Sequence, residues 1–154
     1  MLRPLPLVLA LGLLAGAAHA QEREWTLDAS EEDAYLIFGV PESDDVGVSL
    51  WCPIGKGVVS VFLPIPTEEA PKGKGKAMPV TVSAAAVTEK LRGQVDYNPE
   101  SALSSIEAEI AVDHPLVEAM RKSDRFSVKA GEQDIIFPLY GSDLEGLLAL
   151  CAKR

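Results

Sequence analysis

The chain has 154 residues, and its 23 acidic against 14 basic side chains leave a formal charge of −9. A field of that sign repels nucleic acid and anionic lipid and favours a basic partner. The chain has two cysteines and two histidines; loss of His19 with the amino-terminal segment would leave too few histidines for a multi-histidine zinc site, and bridging the cysteines would remove a Cys-His site as well.

The amino terminus reads as a secretory signal. Arg3 and the free amine supply the positive start, Leu5 to Leu14 is an almost unbroken apolar run, and Ala18-His19-Ala20 fits the A-x-A cleavage pattern. The apolar run is about half of the roughly twenty residues that a bilayer-spanning helix needs. Pro4, Pro6 and the following acidic segment argue against a core helix. Cleavage after Ala20 is expected to leave residues 21–154 as one β-rich domain in the periplasm, without a membrane span. That loss also leaves His114 as the one histidine.

Short apolar runs separated by turn clusters follow. Trp25 and Leu27 alternate with polar residues, Asp28 to Asp33 is turn-like, and Ala34 to Val40 is aromatic and β-branched. Pro41 to Asp45 is a turn before a strand at Val46 to Cys52. Pro53 to Gly57 is a second turn, and Val58 to Leu63 a third apolar run. This rhythm predicts an antiparallel meander. Pro64 to Pro79 carries four prolines and the run Lys72-Gly-Lys-Gly-Lys76, so a mobile loop is expected over 64–79. Strands are expected at Val80 to Val87 and, more weakly, at Leu91 to Val95.

In Ser101 to Val112 the alternation of Ile106, Ala108, Ile110 and Val112 with polar residues favours a strand, although Leu103, Ile106 and Ile110 also fit helical spacing. Asp113 reads as an N-cap with Pro115 in the first turn of a short helix near 114–122. Phe126 to Ala130 and Ile135 to Leu139 flank Gly131 as a hairpin. Ser142 to Glu145 has the form of a capping box, and Leu144, Leu147, Leu148 and Cys151 line one face of a C-terminal helix over 143–152. The expected architecture is α+β: an antiparallel sheet or two-layer sandwich of seven to nine strands with two helices.

Few motifs carry chemistry. An even cysteine count in an exported chain reads as a Cys52–Cys151 bridge, with two free thiols as the alternative. In the chain-entropy model, closing a loop of about a hundred residues contributes ~4–5 kcal/mol. His114 lies beside a helix start, where a solvent-facing imidazole needs no catalytic explanation. Gly75-Lys76 lacks the spacing and the Ser or Thr of a phosphate-binding loop. Asp28, Ser30 and Glu32 open like a calcium loop, yet Asp33 stands where glycine is required and Gly39 where glutamate is. Glu31 to Asp33 and Asp44-Asp45 read as solvated turn acids. No catalytic, cofactor-binding or metal-binding residue is assigned, and no cofactor is expected.

The stretch from Phe38 through the turn to Leu50, Trp51 and Cys52, the ending Phe137 to Ser142, and the helix closing on Cys151 resemble small exported alphaproteobacterial proteins of unknown function. These carry one cysteine in an early strand and one in a final helix. The resemblance implies periplasmic export and the disulfide, and no site residues. The function expected is that of a non-enzymatic envelope interaction or binding protein, its partner an envelope protein or glycan. The alternatives are an inhibitor of a basic hydrolase such as lysozyme, steered by charge, and a hydrolase using two carboxylates that converge from separate elements. If the signal is cut where Ala18-His19-Ala20 predicts, mass spectrometry of the native protein finds Gln21 at the amino terminus. An intact Met1 form in the cytosol contradicts export.

Overall fold

A computed structural model describes residues 22–153. The expected signal peptide, its cleavage point and Arg154 lie outside the described residues. In chain order the elements are β1 (Glu24–Ala29), β2 (Asp33–Gly39), β3 (Val46–Pro53), β4 (Val58–Pro66), β5 (Lys76–Ala84), β6 (Val87–Asp96), β7 (Leu103–Ala111), α1 (Pro115–Arg121), β8 (Arg125–Ala130), β9 (Gln133–Pro138) and α2 (Leu144–Cys151).

Period-two alternation decides which way each strand faces. Leu36 stands opposite Leu50, Leu50 opposite Val61, and Val61 opposite Ala108, so the apolar set of one strand continues onto the next. Leu63 and Val95 both meet Ile106 in the same way. All nine strands form a single sheet in the order β1-β2-β3-β4-β7-β6-β5-β8-β9, and every pairing is antiparallel. Of the two arrangements expected, the single sheet is found and the two-layer sandwich is not.

The sheet is bent into a half-barrel. β1 and β9 are its opposite edges, yet the Trp25 indole N–H donates to the Pro138 carbonyl at 2.7 Å. Around that contact Trp25, Phe38, Phe126 and Phe137 meet with centroid separations of 5.2–6.4 Å, which ties the β1–β2 hairpin to the β8–β9 hairpin through aromatic packing. The concave face holds the core. α1 lies against β5 and β6, the strands that its crossover from β7 to β8 must pass, and α2 lies against β2, β3 and β4.

Both helices start one residue later than their sequence suggests. His114, rather than Asp113, caps α1: its Nδ1 accepts from the Leu116 amide at 3.1 Å. Asp143, rather than Ser142, caps α2, accepting from the Gly146 amide at 3.0 Å. The Ser142 hydroxyl is used in the preceding turn, where it donates to the Leu139 carbonyl at 2.7 Å. Aspartate accepts this bond as well as serine does, so the cap is chemically equivalent.

The loop expected at 64–79 is shorter. β4 continues to Pro66 along β7, and β5 already begins at Lys76. Beyond Phe62 the register of β4 with β3 has ended, so Pro64 and Pro66 fall where no ladder hydrogen bond to β3 is lost. Ile65 between them is buried. At the end of β4, the Thr67 and Ser104 hydroxyls bond to each other at 3.0 Å, and Ser104 Oγ also accepts from the Asn98 amide. That network satisfies a serine that is otherwise buried.

Val80 to Val87 is not one strand. The chain reverses at Ala85-Ala86, and Val87–Asp96 returns as the ten-residue β6, which contains the weakly expected Leu91 to Val95. Ala85 has φ 49°, a left-handed value for which glycine or asparagine is the usual signal, so the turn carries no sequence mark. Inside β6, Gly93 permits close packing, because a Cβ there would lie 2.5 Å from the Ile106 side chain and 2.6 Å from Val80. Replacing Ala85 by glycine should relieve the left-handed strain and raise stability by ~0.5–1 kcal/mol, part of the gain being lost to the freer unfolded chain. Thermal unfolding of Ala85→Gly measures it, and a lowered midpoint contradicts the turn geometry.

Candidate functional site

Cys52 near the end of β3 and Cys151 at the end of α2 form the disulfide, with Cα atoms 5.7 Å apart across a sequence separation of 99. This is within the ordinary bridging range, and both residues are fully buried. Backbone bonds converge on the same place. The Gly55 and Gly57 amides of the β3–β4 turn donate to the carbonyls of Leu150 (2.9 Å) and Cys151 (2.7 Å), the orphan acceptors at the end of α2. Gly57 adopts φ 78° and its own carbonyl accepts from Val112. The bridge fits a non-reducing compartment.

The other residues singled out by sequence are dispersed. His114 caps α1 through Nδ1, and its Nε2 stands 3.8 Å from Glu89 Oε1. Asp45 pairs with Arg23, while Asp44 serves the same turn through its carbonyl, which accepts from Val46. Near Glu31 to Asp33 the Ser30 hydroxyl accepts from the Glu32 and Asp33 amides, as in an ordinary turn. Lys72, Lys74 and Lys76 are exposed, with Gly73 and Gly75 at positive φ between them. Among the described residues no three His, Cys, Asp or Glu stand together in an arrangement able to hold a metal. The pKa shifts have surface causes: hydrogen bonding from Lys122 lowers Glu118, and hydrogen bonding from Arg125 lowers Asp124. Both residues are exposed.

A different constellation stands on the convex face. The register places Asp28, Tyr35, Trp51, Ser60 and Glu109 in one row across β1, β2, β3, β4 and β7. The adjacent row carries Thr26, Ile37, Ser49, Phe62, Glu107 and Gln94. Tyr35 and Trp51 stack with ring centroids 5.7 Å apart and planes 15° apart. Tyr35 is exposed, Ile37, Trp51 and Phe62 are half-buried, and all four lie outside the concave core. Ser49 and Ser60 are buried between these larger neighbours.

The apolar patch is thus bounded by carboxylates on both sides. Among the described residues Asp28, Glu107 and Glu109 take no part in an ion pair. Among the described strands, the cations of this face are Lys90 and Arg92 of β6 and Arg125 and Lys129 of β8. None of the patch residues stood out as functional in the sequence. The available signal was the run Ala34 to Phe38, which is apolar at both parities, whereas a strand covered on one face alternates.

Loss of the bridge should loosen α2 from β3. Cys52→Ser and Cys151→Ser each remove the same bond, so both should be destabilised by about 2–5 kcal/mol and to a similar extent. Denaturant unfolding under non-reducing conditions checks this. Two widely different losses would mean that one cysteine acts mainly through packing.

Comparison of the chain with protein-family models, with curated proteins and with solved structures gives no match.

Proposed function

We propose that the protein is exported to the periplasm and works there by binding an envelope component, protein or glycan, without catalysing a reaction. The observation that carries this reading is the convex-face patch. A strand system covered on one face by its own core normally presents polar residues on the other. Here Tyr35, Ile37, Trp51 and Phe62 stand together on that outer face instead. Clustered aromatic residues with a polar rim are the common composition of a binding surface.

Further observations support the reading. The buried disulfide suits an oxidising compartment, and the signal-like start together with the resemblance to small exported alphaproteobacterial proteins points to the same place. His114 is engaged in a helix cap and Ser142 in a turn, roles that hold each in structure. Inhibition of a basic hydrolase is a second reading, favoured by the acids that border the patch.

Affinity capture from envelope extract on the immobilised protein tests binding. A specific component should be retained at low ionic strength and released at about 1 M salt, where the screening length falls to ~3 Å. Retention of nothing beyond what a denatured, reduced control retains would overturn the reading.

A further inference from the structure

We propose that the convex face of β2, β3, β4 and β7 is a docking surface for a cationic protein segment, its guanidinium or ammonium groups lying on the aromatic patch beside the carboxylates of β7. This rests on the reading of the protein as a binder and names the surface and the chemistry of the partner.

Three observations converge. First, Tyr35 and Trp51 stack across neighbouring strands and Phe62 stands on the next strand in the adjacent row, so aromatic rings stand on three successive strands of one face. Ring faces attract cations through their quadrupole, and arginine stacks on them most readily. Second, the register puts Glu109 in the row of Trp51 and Glu107 directly opposite Phe62, while Asp28 closes the other end of the Tyr35 row. An arginine over the rings therefore meets carboxylates at the margin, within one or two strand spacings of ~4.8 Å. Third, those three carboxylates have no cation of their own among the described residues, and the chain as a whole carries a charge of −9. A neutral glycan would use the rings and leave the flanking acids without a role. An acidic partner would be repelled.

Isothermal titration of the purified full-length exported protein with a hexa-arginine peptide tests this. The wild type should bind it. Glu107→Gln with Glu109→Gln, which keeps the size of each side chain, should weaken binding by about tenfold or more, equivalent to ~1.4 kcal/mol. Trp51→Ala should weaken it comparably. Glu132→Gln with Asp134→Asn removes the same charge near the β8–β9 turn and should change affinity less than about twofold, since exposed charges beyond a Debye length are screened. Equal losses in the two double variants would reduce the effect to net charge and overturn the proposal. So would binding of an N-acetylglucosamine trisaccharide at Trp51 with no response to hexa-arginine. Capture of an envelope component undiminished by Trp51→Ala and by Glu107→Gln with Glu109→Gln would overturn this surface and leave the binding reading intact. Failure of capture by the wild type would instead overturn the binding reading.

Discussion

One constraint governs the molecule: a single sheet has to bury the apolar residues of nine strands with little else to cover them. Laid flat at ~4.8 Å per strand the sheet would be ~38 Å across, whereas each helix is only ~10 Å wide. The two helices have seven and eight residues, so they fill a trough and cannot roof a plane. Bending the sheet lets its own margins supply the rest of the cover. The bond from Trp25 to Pro138 and the ring packing of Phe38 on Phe137 are where the two margins meet. Gly93 belongs to the same logic, because a side chain there would push Ile106 and Val80 apart.

The disulfide and the β3–β4 turn are best understood as one joint. α2 is too short to be stable by propensity alone, and its position depends on what grips its two ends. At the start, Asp143 caps it and Glu145 reaches Arg121 of α1 at 3.5 Å. At the end, Cys151 is bonded to Cys52, and two turn amides take up the carbonyls of Leu150 and Cys151. Covalent bond, backbone bonds and the buried face of Leu144, Leu147 and Leu148 thus act on the same eight residues. A turn that would otherwise be a plain hairpin connection becomes the anchor of the last helix.

Bending also separates the two faces by task. Because the concave side provides the whole core, the residues on the convex side of β2, β3 and β4 are free of packing duties. Tyr35, Ile37, Trp51 and Phe62 are nevertheless large and apolar. The serines between them do not extend the patch outward but lie beneath it, Ser49 between Ile37 and Phe62 and Ser60 between Trp51 and Glu109. The result is a surface built of rings and carboxylates on a rigid support, with β strands rather than loops setting the spacing of its groups.

Much of this was legible in the residues. Alternation in β1, short apolar runs between turn clusters in β2 to β4, the Gly131 turn between β8 and β9, the apolar face of α2 and the even cysteine count pointed to the strands, the final helix and the bridge, because each depends on local pattern or on having one partner available. Other features were hidden for physical reasons. The β5–β6 reversal has alanines where turns usually carry glycine or asparagine. Prolines 64 and 66 suggested a break, yet they sit in a strand where β3 no longer pairs. The caps moved by one residue because neighbouring side chains can perform the same bond. The sequence by itself determined where the short apolar runs and turns fall and which two cysteines were available to pair, since those follow from local pattern and from the count. Only the tertiary structure decided that the strands make one curled sheet in the order β4-β7-β6-β5-β8, and hence that Glu107 stands opposite Phe62 and Glu109 in the row of Trp51. Those acids follow the aromatic residues by more than forty positions in the chain, and only long-range pairing, which no local pattern encodes, brings them together.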